Sequence, residues 1–222
     1  MLILGIDTST KLCSVALYDT EKGILGELNI TVPKNHSNVI LPMIDQLFLF
    51  TEKTIEDVER IAVGIGPGSF TGIRVGMAIA KGLAIGKKIP IVGVSGLDAL
   101  AASVREKGRV FALLDARKSR VYYRIFENGK ALCEAKDGNL KDVLQEYQGA
   151  EINYFVGDGA LAYQDMILEA YGKKACILSE ESSVARALYF AKMSVDQEED
   201  NLYTLEPMYV CKSQAEKSKE NV

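Results

Sequence analysis

The sequence predicts an α/β protein made of two lobes that share one order of elements. Three observations carry this. After an opening run of three β-rich segments the chain alternates strand and helix, which implies parallel pairing. The whole order β-β-β-α-β-α-β-α then occurs a second time, starting near Arg109. A chain of 222 residues with 48% hydrophobic content can bury one large core or two small ones.

Each element follows from local pattern. Leu2 to Asp7 and Ser14 to Asp19 are β-rich runs, and Leu25 to Val32 supplies a third after the turn at Glu21-Lys22-Gly23. A helix is expected over Ser37 to Phe50, a helical turn at Ile55 to Val58, and a buried strand at Arg60 to Ile65. Helix Ser69 to Ile85, strand Pro90 to Val94 and helix Leu97 to Arg105 complete the first half. In the second half, strands are expected at Arg109 to Asp115, Arg120 to Glu127 and Ala131 to Glu134. Helix Leu140 to Tyr147, strand Ile152 to Val156, helix Ala160 to Tyr171, strand Ala175 to Leu178 and helix Ser183 to Ser194 follow. The lobes are expected at residues 1–106 and 107–222, with the closing AEKSKENV a polar, frayed tail.

Composition excludes several functions. The longest apolar stretches fall well short of the roughly 20 residues a bilayer demands, and no basic flank leads into an apolar signal region, so a cytoplasmic protein is expected. Cys13, Cys133, Cys176 and Cys211 show neither zinc-ribbon nor disulfide-framework spacing and read as reduced thiols. Net charge −4 argues against strong unaided binding to a polyanion. His36 is the single histidine, so no multi-histidine metal site is expected, and a helix-start role suits it better than a catalytic triad.

Two glycine-bearing turns could meet an anion. GIDTST places Asp7, Thr8 and Ser9 after the first strand, residues that are also ordinary turn formers. FVGDGA sets Gly157 and Gly159 between a strand and a helix. No GxxxxGK[ST] occurs, which excludes a P-loop. In GIGPGSFTGIRVGMAIAKG, Gly66 and Gly68 permit a sharp turn and Ser69 or Thr71 can cap the next helix, so the backbone amides at its start could likewise hold an anion. Gly72, Gly76, Ala80 and Ala84 then recur every four residues as a shallow ridge, fit for a second helix or for the lobe's own sheet. On the preceding helix, apolar residues from Val39 to Phe50 cover an arc of about 200°, twice what one docking needs. The two helices are therefore expected to meet a partner through Val39, Ile40, Met43, Ile44 and Leu47 and through Gly72, Val75, Gly76, Ile79 and Ala80.

LGIDTSTKLCSVAL, NHSNVILPMID, GPGSFTGIRVGMAIAKGLA, VSGLDALA and EPMYVCKSQAE together resemble the TsaB (YeaZ) family, over most of the chain. The resemblance implies an ASKHA (actin-like ATPase) fold of two duplicated lobes. It implies a non-catalytic scaffold in the transfer of a threonylcarbamoyl group to N6 of adenosine 37 in tRNAs. The chemistry would belong to the paralogue TsaD, in which two histidines hold a metal; with His36 alone this chain departs from that pattern. A TsaE-like ATPase would join the pair, tRNA would be met through the complex, and the chain alone would form a homodimer through the same helices. No cofactor is assigned to this chain itself; ATP or ADP would sit at the interface of the complex. The competing reading is a stand-alone ASKHA ATPase or small-molecule kinase, with Asp7, Thr8 and Ser9 at the phosphates and Gly157 and Gly159 near the nucleotide. A glycopeptidase ranks last.

Overall fold

The computed structural model describes residues 1–32, 36–148 and 151–210. Asn35, Cys211 and the polar tail lie outside the described residues. The chain divides into two compact units, 1–100 with 185–207, and 101–184 with 208–222.

In the first unit, β1 (Leu2–Asp7), β2 (Leu12–Asp19), β3 (Gly23–Thr31), β4 (Arg60–Gly64) and β5 (Ile91–Val94) form a sheet in the order β3-β2-β1-β4-β5. β1 runs antiparallel to β2 and parallel to β4, so the chain changes direction of growth at β1. Because side chains alternate across a strand, Leu2, Leu4 and Ile6 face one core. There they meet α1 (Ile40–Thr51) and α2 (Phe70–Lys87) through Ile40, Met43, Ile44, Leu47, Ile73, Met77, Ala80 and Ala84. Ser69 caps α2 by accepting from the Gly72 amide at 3.2 Å. The expected helical turn near Ile55 is a 3-10 turn, Ile55–Asp57, closed by a Thr54/Asp57 capping box.

In the second unit, β6 (Arg109–Asp115), β7 (Arg120–Glu127), β8 (Lys130–Ala131), β10 (Asn153–Val156) and β11 (Ala175–Ile177) take the order β11-β10-β6-β7-β8. This is the first sheet's order and sense repeated. Of the strand expected at Ala131 to Glu134 only Ala131 is in a strand, within β8, and β7 also pairs with β9 (Lys136–Asn139), which lies beyond the expected range. Between strands come α3 (Gly96–Ser103), across the division of the units, and α4 (Leu140–Glu146). The single helix expected over 160–171 is two, α5 (Asp158–Ala162) and α6 (Gln164–Tyr171), broken where Tyr163 leaves helical geometry at φ −122°, ψ 29°. The core is aromatic: Phe111 stacks on Phe155 at 4.5 Å, with Tyr171 edge-on to both.

One domain boundary needs correction. The last helix, α7 (Ala187–Met193), is shorter than expected and belongs to the first unit, so the lobes are not the contiguous 1–106 and 107–222. Specific bonds hold it there: Ala187 N donates to Ser14 Oγ at 2.7 Å, Glu27 pairs with Arg186, and the Arg60 guanidinium donates to the carbonyls of Ser194, Val195 and Gln197 beyond its C-terminus. The Ser14 bond, with that of Leu188 N to Glu27 Oε1 at 3.3 Å, closes amides that a helix start leaves open. Beyond it, Asp200 N donates to Ile91 O at 2.9 Å and Asp200 Oδ2 accepts from Gly93 N at 2.7 Å, which covers the edge of β5.

Candidate functional site

The turn leaving β1 meets the start of α2 in the first unit. Asp7, Thr8 and Ser9 are completely or almost completely buried. Asp7 accepts from the Ser9 amide at 3.2 Å and from Ser9 Oγ at 3.1 Å, and Thr8 Oγ1 donates to Gly72 O at 2.7 Å. Ser69 N donates to Ser9 O at 2.7 Å, and Gly96 N donates to Gly66 O at 2.8 Å. The structure thus brings together Asp7, Thr8, Ser9, Gly66, Gly68 and Gly72, and closes them on one another. Of the residues expected at a phosphate, Thr8 and Ser9 donate their hydroxyl protons, and Ser9 its amide, within the fold, to Gly72 O and to Asp7. Burial pushes the Asp7 carboxyl up to about 7, against the lowering pull of the Ser9 bonds. The Cys13 thiol rises to about 11 through burial and then the nearby Asp7 charge.

The glycine ridge has the same explanation. A Cβ on Gly68 would overlap the carbonyl oxygen of Ser9, one on Gly72 that of Thr8, and one on Gly76 the Thr8 hydroxyl. Gly72, Gly76 and Ala80 are buried against their own sheet, as are Ile40, Met43, Ile44 and Leu47 of α1; Val39, Val75 and Ile79 are half-buried. The buried ones form the lobe's core, and Val39, Val75 and Ile79 pack against it while keeping part of their surface open. The face turned outward is another set. On α1 it holds Leu41, Leu49 and Phe50, the last 71% exposed. On α2 it holds Phe70, Arg74, Ala78, Gly82, Ile85 and Gly86, with the Arg74 guanidinium 3.8 Å over the Phe70 ring. Gly82 and Gly86 have open space where a Cβ would stand. A second four-residue ladder, displaced by two positions, therefore carries the exposed small residues.

In the second unit Gly157 takes φ 107°, and a Cβ on Gly159 would press on the backbone of Leu113, Leu114 and Asp115 at 3.0–3.1 Å. Both glycines serve the close approach of α5 to β6. Sequence reasoning missed what this approach supports. Asp158 Oδ1 accepts from Asp115 N at 2.9 Å, Asp115 Oδ1 accepts from Arg117 N at 2.8 Å and from Tyr163 Oη at 2.7 Å, and Ser119 N donates to Tyr163 Oη at 3.2 Å. Burial, then the Asp115 carboxylate, pushes the Tyr163 hydroxyl above its ordinary range. The Asp of a strand end two residues before a polar turn was a visible signal; the left-handed backbone it supports was not.

His36 opens a 3-10 turn and its Nε2 lies 2.9 Å from Thr10 O, a structural bond. Among the described residues no three His, Cys, Asp or Glu side chains group as metal ligands, and no helix is long and apolar enough to cross a membrane.

Comparison with known proteins gives these features a context. The family model for TsaD, tRNA N6-adenosine threonylcarbamoyltransferase, matches residues 17–218. The tRNA threonylcarbamoyladenosine biosynthesis protein TsaB of Escherichia coli K12 is 35% identical over 83% of this chain and 80% of its own. The protein of that name from Bacillus subtilis 168 is 31% identical over 97% and 96%. The solved structure of YeaZ from Pseudomonas aeruginosa superposes with a TM-score of 0.79 at 27% identity, covering 94% of this chain and 99% of that one. A ROK hexokinase from Thermus thermophilus, 13% identical with a TM-score of 0.55 over 88% of this chain and all of its own, shares the actin-like ATPase fold.

Proposed function

The chain belongs to the TsaB family, and we propose that it is a non-catalytic subunit of the complex that forms threonylcarbamoyladenosine at position 37 of tRNA, binding and activating a TsaD-like protein in the cytoplasm. One observation carries the assembly role. The outward faces of α1 and α2 leave Leu41, Leu49, Phe50 and Ile85 exposed, and a Cβ added at Gly82 or Gly86 would meet nothing within 4 Å among the described residues. Each helix-interior glycine costs about 1 kcal/mol relative to alanine, and a close helix from outside would supply the offset that the chain lacks. Exposed large apolar residues gathered on adjoining elements mark protein-binding surface.

In this reading the partner is the TsaD-like subunit, which owns the transfer chemistry. A TsaE-like ATPase joins the pair, ATP or ADP sits at the junction, and a second copy of this chain covers the same face when the partner is absent. The kinase alternative loses support because the Thr8 and Ser9 hydroxyl protons and the Ser9 amide are already donated within the fold.

The test is reconstitution of the modification with purified TsaD-like and TsaE-like proteins, comparing Phe50→Glu, Ala78→Arg and Ile85→Glu with the parent. All three are expected to keep the isolated fold and to lose co-elution with the catalytic partner and product formation. Normal assembly by all three removes this face from the interface. Ile44 and Gly76 are unsuitable for the test, since both are buried and their replacement would unfold the lobe.

A further inference from the structure

The turn between β6 and β7 holds a run of backbone that no sequence signal announces. Arg117, Lys118 and Ser119 lie consecutively in the left-handed region, at φ 67°, 54° and 59°. Side chains disfavour that region, and glycine, asparagine or aspartate would fill a tight turn at lower cost. The chain nevertheless keeps two cations there. The strain is over-determined by its surroundings: Ala116 N donates to Arg120 O at 3.0 Å, Arg120 N to Arg117 O at 3.1 Å, and Leu140 N to Ser119 O at 2.9 Å. To these the Asp115, Asp158 and Tyr163 bonds are added. Strained residues held this firmly concentrate where a ligand is gripped.

The charges point the same way. Arg117 and Lys118 are exposed, and neither has an ion-pair partner among the described residues. The carboxylates nearest in sequence and bonding, Asp115 and Asp158, accept from backbone amides beneath the turn, and Arg120 is engaged by Asp137. The result is a pair of exposed cations on a backbone held in one conformation, in a chain whose net charge is −4. Adjacent exposed cations on a fixed backbone suit successive phosphates of a nucleic-acid strand, with the backbone share of the ordering cost already met by the fold.

We infer that the Arg117–Lys118 turn is a contact for the phosphate backbone of the tRNA that the complex modifies; this rests on the reading of the chain as a tRNA-modification subunit. Phosphate contacts position a nucleic acid without reading its sequence, so the turn would raise affinity for every tRNA substrate alike.

The experiment compares the parent, Arg117→Gln/Lys118→Gln and the charge-preserving Arg117→Lys/Lys118→Arg in the reconstituted reaction, with complex formation checked by gel filtration. The Gln pair is expected to assemble normally and to raise KM for tRNA about five-fold or more with kcat unchanged, while the slope of log affinity against log salt falls by about 1.5, near 0.8 per lost phosphate contact. The charge-preserving pair is expected to match the parent. An unchanged tRNA KM and salt slope overturns the proposal, as does a rise in KM for ATP with tRNA unaffected, which would assign the turn to nucleotide phosphates. Loss of function in the charge-preserving pair equal to the Gln pair also overturns it, since shape and not charge would then be at work. If the parent itself fails to stimulate modification, the proposed subunit role falls; titration of the full isolated chain with tRNA at low salt still decides the turn by the same difference in slope.

Discussion

The turn after β1 and the turn after β6 occupy the same place in two sheets of the same order, and they are used in opposite ways. Both strands end in aspartate, and both aspartates form the last rung with the returning strand, Asp7 opposite Ser14 and Asp115 opposite Val121. Asp7 lies entirely inside, satisfied by Ser9, with α2 closed down on Thr8. Asp115 is exposed and holds up a turn whose side chains reach water. The ladder is what the repetition preserves, because its bonds are between backbones; the turn chemistry is free to diverge. The first turn became core and the second a presented surface.

The sharpest way to break this contrast is to remove the buried charge. Asp7 in the folded chain takes its proton near pH 7, against an ordinary value of 3.8. The native state therefore binds the proton more tightly than the unfolded chain. Its contribution to stability is complete below pH 4 and is lost as pH rises to 7, with no further change above. Three units at about 1.4 kcal/mol each bound the effect at about 4 kcal/mol, of which about 3 would appear between pH 5 and pH 8. Urea unfolding at those two pH values is expected to show this loss in the parent and a nearly flat response in Asp7→Asn. Equal slopes in the two proteins would mean that water reaches Asp7 and that the turn is open.

A slightly smaller effect is expected from steric intrusion at the same turn. Gly72→Val places two methyl groups where the Thr8 carbonyl stands, and should destabilise the chain by about 3 kcal/mol, as overpacking against immobile backbone does. Gly82→Ala, ten residues on along the same helix, meets nothing and should stabilise the isolated chain by up to about 1 kcal/mol. Denaturation midpoints of the two variants are expected to move in opposite directions. Movement in the same direction would mean that α2 is rotated about its axis relative to the packing described.

That rotation is also what the sequence left open. Strand and helix order were legible because β-branched runs and four-residue periods are local properties. The return of α7 was not, since it depends on Ser14, Glu27 and Arg60, all distant in sequence. Nor was β9, where Lys136-Asp137-Gly138-Asn139 has no strand propensity and is extended only by its pairing with β7. On α2 the ladder 72, 76, 80, 84 and the ladder 74, 78, 82, 86 both carry small residues. Composition alone could not say which faces the sheet; the closeness of the Thr8 carbonyl decides it. Of the residues expected to meet a partner, Ile40, Met43, Ile44, Leu47, Gly72, Gly76 and Ala80 are buried in the lobe, and Val39, Val75 and Ile79 are half-buried.

On the second turn the effects are smaller, because its supports are bonds near water. Tyr163→Phe removes the hydroxyl that joins Asp115 to the Ser119 amide, at an expected cost of about 1–2 kcal/mol. Amide exchange should accelerate selectively at Ser119 while β6 itself stays protected. Uniform acceleration across the second unit would show that Tyr163 supports the core and not the turn.

The smallest predicted effect is the most discriminating, since its sign carries the argument. Arg117→Gly gives φ 67° to the residue that adopts it without steric cost. Relief of left-handed strain is worth about 1 kcal/mol or somewhat more, and the added freedom of glycine in the unfolded chain takes back part of it. A net gain of about 0.5 kcal/mol is expected, read as a small upward shift in thermal midpoint, together with weaker tRNA binding in the assembled complex. Stability and affinity moving in opposite directions is the signature of a side chain kept for what it touches outside the chain. A loss of stability would instead place the Arg117 stem in packing that holds the turn together, and the strain would then have a structural cause.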